Sequence, residues 1–329
     1  MRRIALFAHY DRDGIIDDYV IYYLRALTRV ADRILFVSDS DLRDGEAEKL
    51  EGLAELAFAG RHGEYDFGSW KRAFRVLDYD LTGWDELILA NDSCYAPIYP
   101  FEGVFERMDR VDCDFWSPHN TKINDKFDHL SSYFLVLRRP ILEDEDFLRF
   151  WECVEPHADV DAVILKYERG LSQLLAGKGY RYESLMPIAD VGSFLKTDYV
   201  HETIHSYRSS WLKVRMLREN PYYAVNIGKA LDQIAMLYPR PLIDDHLTRT
   251  LGTAKPRHHY YRFFGRYERQ FGPFKLTSKV KRNKRRAQAR LRWKLYLKLF
   301  SVPIFAFVWP GPVETVRPRP PLIRPVPRP

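Results

Sequence analysis

The sequence has few cysteines and no long uninterrupted apolar run. Its 329 residues include three cysteines, Cys94, Cys113 and Cys153, which form no Cys-x-x-Cys pair and no spacing typical of a structural zinc site. A small and uneven number of cysteines favours a reducing compartment, in which disulfides are rare. The apolar segment 299–309 is interrupted by Pro303. It is also shorter than the roughly 20 residues that a membrane-spanning helix needs.

Several motifs of nucleotide and hydrolase chemistry are also missing. The chain contains no Gly-x-Gly-x-x-Gly, no Walker loop and no Gly-x-Ser-x-Gly. These absences remove support for a dinucleotide enzyme, a P-loop kinase and a serine hydrolase. Residues 1–8 resemble the start of a signal peptide, but the apolar run is short and ends at His9 and Asp11. We interpret it as a first strand and expect the body of the protein to be cytoplasmic.

Charge is divided unevenly along the chain. Residues 271–329, the C-terminal tail, carry +14, so the first 270 residues carry −8 of a total of +6. Such asymmetry suggests a polyanionic partner. Residues 279–298 hold ten Lys/Arg and no acid, interleaved with Leu, Trp and Tyr. Basic segments of this kind favour an anionic membrane surface over nucleic acid, although a core-packed or partner-binding helix would also fit. The residues assigned to the membrane are Arg285, Arg286, Trp293 and Lys294.

Short apolar runs alternate with amphipathic segments in the first ninety residues. The pattern predicts strands at 4–8, 33–38 and 85–90. Predicted helices lie at 17–30, 45–56 and 67–77. Further strands are predicted at 115–117 and 132–137, and further helices at 144–153 and 159–176. This alternation is typical of an α/β fold with a mostly parallel sheet covered by helices on both faces.

Three segments follow from composition and pattern. Residues 1–186 form the predicted catalytic domain, and 187–270 a helical extension packed on it. Residues 271–329 form a basic amphipathic tail, whose Pro/Arg-rich end we expect to be disordered.

Polar residues follow three of the predicted strands. His9 and Asp11 follow the first, Asp39 the second, and Asn91-Asp92-Ser93 the third. Ligands of parallel α/β sheets bind at the carboxyl ends of the strands. A carboxylate among small polar residues can hold Mg²⁺ or Mn²⁺, which would neutralise a diphosphate. The alternative is a plain turn, since Asn, Asp and Ser dominate turns.

Other candidate residues lie outside these loops. Asp66 either caps an aromatic-rich helix or contacts the donor sugar, and Lys71 is available to a phosphate. Glu168 either deprotonates a sugar hydroxyl or is one charge on a solvated helix face. His119 and His129 lie in a long polar loop and are candidate contacts of the acceptor or sugar.

Four segments together resemble the rhamnan synthesis F family, which contains bacterial glycosyltransferases of surface polysaccharide assembly. They are Tyr-Asp-Phe-Gly-Ser-Trp-Lys at 65–71, Asn-Asp-Ser-Cys-Tyr-Ala-Pro at 91–97, His-Leu-Ser-Ser-Tyr-Phe at 129–134 and Tyr-Glu-Arg-Gly-Leu-Ser at 167–172. The resemblance covers about residues 1–225 and implies a GT-A-like nucleotide-sugar-binding fold. In that fold an Asp-x-Asp loop holds the metal and the donor diphosphate. Here the loop has one carboxylate, which leaves metal dependence open.

The resemblance also implies roles and partners. Glu168 falls on the catalytic-base position of a block found in inverting GT-A enzymes, and Asp92 on the metal and diphosphate loop. The residues assigned to nucleotide or donor binding are His9, Asp11, Asp39, Asp66, Lys71, Asn91 and Ser93. The implied reaction moves a sugar from a nucleotide sugar, with dTDP-rhamnose as the candidate donor. The acceptor would be a growing polysaccharide or lipid-linked glycan at the inner face of the cell membrane. An inactive sugar- or nucleotide-binding scaffold is the alternative.

Overall fold

The computed structural model divides the chain into two compact units, residues 1–259 and 260–329. It describes the residues in the following ranges: 1–123, 126–157, 159–186, 204, 207–220, 227–256, 293–299 and 302–309. Residues 122–123, 126–127, 228–230, 293–299 and 302–309 are described as backbone only.

The first unit is built on an eight-stranded sheet. Its strands, with those of a small second sheet, are β1 (Arg3–His9), β2 (Arg33–Ser38), β3 (Glu55–Ala59), β4 (Glu86–Asn91), β5 (Cys94–Tyr95), β6 (Phe115–Ile123), β7 (Lys126–Leu130), β8 (Phe134–Arg138), β9 (Tyr182–Met186) and β10 (Leu212–Lys213). The order is β3-β2-β1-β4-β8-β6-β7, with β9 also paired to β6. Strands β1 to β4 are parallel, as are β6 and β9, whereas β8 runs antiparallel to both of its neighbours. The predicted α/β fold with a mostly parallel central sheet is confirmed.

Helices cover both faces of this sheet. They are α1 (Asp18–Leu27), α2 (Tyr65–Val76), α3 (Phe101–Met108), α4 (Arg139–Leu142), α5 (Glu145–Glu152), α6 (Val160–Val163), α7 (Arg169–Gly177), α8 (Val214–Arg218), α9 (Ile227–Ile234) and α10 (Arg240–Leu251). A π-helical turn, Ile164–Glu168, joins α6 to α7, and a 3₁₀ turn spans Ala47–Leu50.

The central strands are apolar because both of their faces are buried. Alternate residues of β1 enter opposite cores: Ala5 and Phe7 pack with α1 and α3, whereas Leu6 packs with α2 and α5. Trp70 of α2 is fully buried, and its indole N–H donates to the carbonyls of Leu6 (3.0 Å) and Ala90 (3.2 Å). The helix is therefore fixed across β1 and β4, the two strands that end at the candidate site.

The helix predicted at 45–56 is wrong. The segment forms only the short 3₁₀ turn, and β3 begins at Glu55. Gly52 adopts a left-handed φ of 70°, which an α-helix does not continue through. The side chains of β3 are mostly exposed, as at a sheet edge, and residues 57–59 lie past the end of the predicted helix.

The second unit contains an antiparallel pair, β11 (Trp293–Leu299) and β12 (Val302–Trp309). Trp293 and Lys294, assigned to the membrane, thus begin a strand. Arg285, Arg286 and the Pro/Arg-rich end fall outside the described residues. Within the described part of the chain, no helix has the length and apolarity to cross a membrane. The domain boundaries at 186 and 270 stay a prediction.

Candidate functional site

Asp92 lies at the carboxyl edge of the sheet, directly after β4. The backbone of the neighbouring strand fixes it: Asp92 N donates to the carbonyl of Ala8 (3.2 Å), and Tyr10 N donates to Asp92 Oδ2 (3.0 Å). The hydroxyl of Tyr19 donates to the Asp92 carbonyl (2.9 Å). His9 Nε2 lies 3.9 Å from Asp92 Oδ2. The loop therefore presents one rigidly held carboxylate between β1 and β4.

Electrostatics around Asp92 disfavour its charged form. Burial, added to by the charges of Asp66 and Asp11, raises the pKa of Asp92 to about 8. Burial raises the pKa of Asp66 to about 6, against the opposing effect of a hydrogen bond from Asn91. The pKa of His9 falls to about 4 because the ring is buried, so it is neutral at pH 7. Closely spaced acids with raised pKa values are typical of sites that meet a positive charge.

Asn91 connects the two candidate donor loops. Its Nδ2 donates to Asp66 Oδ2 (2.6 Å), and its Oδ1 accepts from Ser93 N (3.1 Å) and Ser93 Oγ (2.6 Å). Asp66 follows Tyr65, whose φ of 57° is left-handed, an uncommon conformation for a tyrosine. The backbone is thus held in a costly conformation beside a carboxylate that faces Asn91, as happens at binding sites.

Lys213 joins this cluster from far along the chain. Strand β10 pairs with β5, which places Lys213 opposite Cys94, and Val214 N donates to the carbonyl of Ser93 (2.9 Å). Lys213 Nζ donates to Ser93 Oγ (3.0 Å) and lies 3.9 Å from the centre of the Tyr133 ring. No role was predicted for it from the sequence. Lys213 stands in the segment Trp211-Leu212-Lys213-Val214, which also resembles the rhamnan synthesis F family but contains no catalytic or binding motif.

Glu168 reaches the same cluster through residues 131–133. Its Oε1 accepts from Ser132 N (2.7 Å) at the end of the π-helical turn, a rare conformation that is frequent at functional sites. His119 braces this stretch, since Nε2 bonds to Ser131 Oγ (2.9 Å) and Nδ1 to Tyr133 Oη (3.2 Å). The structure thus connects the segments of Asp66, Asp92 and Glu168 into one region.

Asp39 and Asp11 shape the loops beside this region. Asp39 Oδ1 accepts from the backbone N–H groups of His62 (2.6 Å) and Gly63 (3.0 Å), which positions the loop before α2. Asp11 Oδ1 accepts from Ile15 N (3.1 Å), and Arg249 Nη2 donates to Asp11 Oδ2 (2.6 Å). Both carboxylates thus order loops at this edge of the sheet, and no role was predicted for Arg249 from the sequence.

Three assigned residues have other partners. Lys71 Nζ donates to the carbonyl of Val154, which draws its ammonium toward the loop after α5 instead of a phosphate. His119 is 2 % exposed, so it is packed too deeply to touch an acceptor and acts as a brace. His129 Nδ1 bonds to Asp128 Oδ2 (2.7 Å), a carboxylate that also pairs with Arg169 Nε (2.8 Å).

A divalent cation fits these residues only as part of a complex with phosphate. Among the described side chains there is no group of three His, Cys, Asp or Glu that could hold a metal alone. Mg²⁺, however, usually takes one or two carboxylates and completes its shell with substrate phosphates and water. Asp92, with Asp66 nearby, is a donor set of that kind.

The family model of rhamnan synthesis protein F matches the sequence over residues 34–288, more than three quarters of the chain. The chain belongs to this family. This member of the rhamnan synthesis protein F family is also 22% identical over 190 residues to "Uncharacterized protein y4gN" of Sinorhizobium fredii (strain NBRC 101917 / NGR234). The match covers 57% of this chain and 49% of that relative, so the chain spans about half of its length.

Solved structures are similar at a lower level. The inositol-1-phosphate CTP transferase from T. maritima is 12% identical, with a TM-score of 0.36, over 63% of this chain and 96% of that one. A glycosyltransferase involved in the glycosylation of the major capsid of PBCV-1 is 8% identical, with a TM-score of 0.34, over 64% and 93%. These scores are low, and the fold assignment rests on the strand order and directions given above.

Proposed function

We propose that this member of the rhamnan synthesis protein F family is a glycosyltransferase. It moves a sugar from a nucleotide-sugar donor, with dTDP-rhamnose as the candidate, to a growing surface polysaccharide or lipid-linked glycan. The observation that carries the proposal is the junction of two acidic loops with a third carboxylate at the carboxyl edge of the sheet. Asp66 and Asp92 flank Asn91, and Glu168 is held by Ser132 next to Tyr133.

Glu168 serves as the general base. Its Oε1 is occupied by the Ser132 N–H, which orients the carboxylate, and we assign Oε2 to the acceptor hydroxyl. As the proton moves to Glu168, the acceptor oxygen bonds to the anomeric carbon of the donor sugar. The bond from that carbon to the diphosphate oxygen breaks, and the nucleoside diphosphate leaves with the electron pair. Fixed positions of base and donor supply much of the rate in such a reaction.

The donor is held by the loops after β1, β2 and β4. Asp39 and Asp11 keep the nucleotide loops in shape, and Asp66 is placed to bond donor sugar hydroxyls. Asp92 would hold a divalent cation, which when bound neutralises charge on the diphosphate. The raised pKa of Asp92 means that its charged form needs a nearby positive charge to persist at neutral pH.

A donor-consumption assay tests this proposal. Full-length protein is incubated with a panel of nucleotide sugars and glycan-bearing membranes, with Mg²⁺, with Mn²⁺ and with chelator. We expect one donor to be consumed with transfer of its sugar to a glycan. Loss of turnover with chelator would make Asp92 a cation ligand, and survival would make the loop a direct donor contact. Failure of every donor in the presence of membranes would refute the transferase assignment.

One observation favours a second function, an inactive scaffold that binds sugar or nucleotide. The loop after β4 offers a single carboxylate, whereas the Asp-x-Asp loop implied by the resemblance has two. A scaffold would bind the nucleotide sugar without consuming it. Equilibrium dialysis beside the consumption assay separates the two, because only the scaffold gives saturable binding with intact donor.

The tail supports a location at the inner face of the cell membrane. The tail carries +14 and the first 270 residues carry −8, so the attraction to anionic lipid is concentrated in one segment of the sequence. A peripheral position there would bring the site to lipid-linked acceptors.

A further inference from the structure

Lys213 is a half-buried cation next to the loop after β4. Among the residues that the structure describes, no Asp or Glu oxygen forms an ion pair with its ammonium within 4.0 Å. Its neighbours are the hydroxyl of Ser93, with Oγ at 3.0 Å, the face of the Tyr133 ring at 3.9 Å, and the thiol of Cys94. All three are neutral groups, so they compensate the charge of the ammonium only in part.

This arrangement has a cost that a ligand would relieve. Charges taken out of water are normally paired, because a hydroxyl and a ring face replace only part of the lost hydration. Acidic residues are close in this cluster, yet Asp66 is bonded to Asn91 and Glu168 to the Ser132 backbone. The ammonium of Lys213 therefore lies near acids whose carboxylates are hydrogen-bonded to other groups.

The position of Lys213 is fixed, because its backbone is hydrogen-bonded to the loop after β4. Strands β10 and β5 pair in register, and Val214 N donates to the carbonyl of Ser93. Any anion held beside Asp92 would meet Lys213 at a fixed place. His119 bonds to Tyr133 Oη (3.2 Å), so the ring under the ammonium is held as well.

We propose that Lys213, with Ser93, forms an anion site that binds the diphosphate of the donor and stabilises its charge as it leaves. This inference rests on the proposed function, since it names the group that receives the leaving diphosphate. Lys213 takes the phosphate-binding role that sequence analysis gave to Lys71. Because a protein cation is present, binding of diphosphate survives removal of divalent metal.

Binding of inorganic diphosphate tests the site directly. Isothermal titration of full-length protein is done at physiological salt with chelator, for wild type, Lys213→Met, Lys213→Arg and the control Lys166→Met. Lys166 carries an exposed ammonium that pairs with Glu155 on the surface. The cations of the tail contribute equally to all four proteins. Thermal unfolding is compared first, so that only folded variants are titrated.

We expect Lys213→Met to bind diphosphate about tenfold to a hundredfold more weakly, the loss expected for one charge-assisted hydrogen bond. Lys213→Arg should recover part of the affinity, and Lys166→Met should match wild type. Equal binding by wild type and Lys213→Met overturns the inference, as does an equal loss in Lys166→Met. Diphosphate binding is measured without donor or acceptor. The two experiments are therefore independent. Diphosphate binding through Lys213 can be shown even if no donor is consumed, and an active transferase does not support the inference if Lys213→Met binds diphosphate like wild type.

Discussion

At the scale of single residues, Glu168 is the group on which the proposed chemistry depends most directly. Replacement by Gln keeps the side-chain shape and the acceptor for Ser132 N but removes the base. We expect kcat to fall about a hundredfold to ten-thousandfold, the usual contribution of a general base, while affinity for the nucleotide stays within about twofold. Transfer rates and nucleotide titrations measure the two quantities.

Glu155→Gln is the matched control for that experiment. The side chain of this acid is mostly exposed and, among the described residues, pairs only with Lys166. It should transfer at the wild-type rate. Near-normal kcat in Glu168→Gln would remove Glu168 from the chemistry and leave it as a support for Ser132.

His119 should give the protein a pH-dependent stability. Burial lowers its pKa to about 3, with Lys213 and His129 lowering it further, so the folded protein keeps the ring neutral. Below the ordinary value of about 6.5 the unfolded chain binds a proton that the folded one does not. The free energy of unfolding therefore falls as pH drops from about 6.5 toward 3.

Replacing His119 by Gln should flatten that dependence by up to about one proton. Gln can still bond Ser131 and Tyr133 but has no titrating ring. Urea unfolding between pH 4 and pH 7 measures the slope for both proteins. Parallel slopes would mean that the ring takes up its proton at the same pH in the folded and unfolded chain, contrary to the effect of burial given above.

Position along the chain decided which site residues could be predicted. Asp92, Asn91 and Ser93 follow a buried strand, and parallel strands bring such positions to one edge. Lys213 comes from a strand of two residues, and its pairing with β5 leaves no periodic signal. Lys71 has the right residue type, but a carbonyl from a distant loop takes its ammonium. No local pattern contains that information.

At the scale of elements, Arg249 links α10 to the loop after β1. Its guanidinium donates to Asp11 Oδ2 (2.6 Å) and to both oxygens of Asp17, and it lies 3.5 Å from Asp13. The side chain is 22% exposed, so these pairs are partly shielded from water. The helical extension thus neutralises the acids of a proposed nucleotide loop. This gives residues 240–251 a role that the sequence did not suggest.

Arg249→Met should destabilise the protein by about 1.5–3 kcal/mol, the range for hydrogen bonds to charged groups. Repulsion among the three aspartates adds to the loss. Arg240→Met on the same helix is the control, because its pair with Asp244 is more exposed and should be worth about 1 kcal/mol or less. Urea unfolding compares the two. Equal losses would show that the acid loop does not depend on α10.

The helices and strands that could be predicted from the sequence are those whose burial leaves an apolar pattern. Strands β1, β2 and β4 are enclosed on both faces, so they appear as apolar runs, and α1 and α2 show one apolar side. β3 is exposed at the edge of the sheet; the predicted helix at 45–56 overlapped its first two residues, and no element was predicted for residues 57–59. The π-helical turn at Ile164–Glu168 left no trace in the sequence, since its side chains also fit an α-helix.

At the scale of the whole molecule, the uneven distribution of charge along the chain determines how the protein should bind an anionic surface. A body of −8 is repelled by an anionic surface, whereas a tail of +14 is attracted to it. The protein should therefore bind anionic vesicles through the tail and release them as salt rises, because screening shortens the reach of both effects. Neutral vesicles should bind much less.

Neutralising two tail arginines tests this in the full chain. Arg285→Gln/Arg286→Gln should weaken binding to phosphatidylserine vesicles about thirtyfold, since each cation near such a surface contributes roughly 1 kcal/mol. Arg25→Gln/Arg75→Gln removes the same charge from exposed helical positions of the body and should change binding little. Vesicle sedimentation at two salt concentrations measures all three proteins. If Arg25→Gln/Arg75→Gln weakens vesicle binding as much as Arg285→Gln/Arg286→Gln does, binding depends on the net charge of the protein and not on the tail.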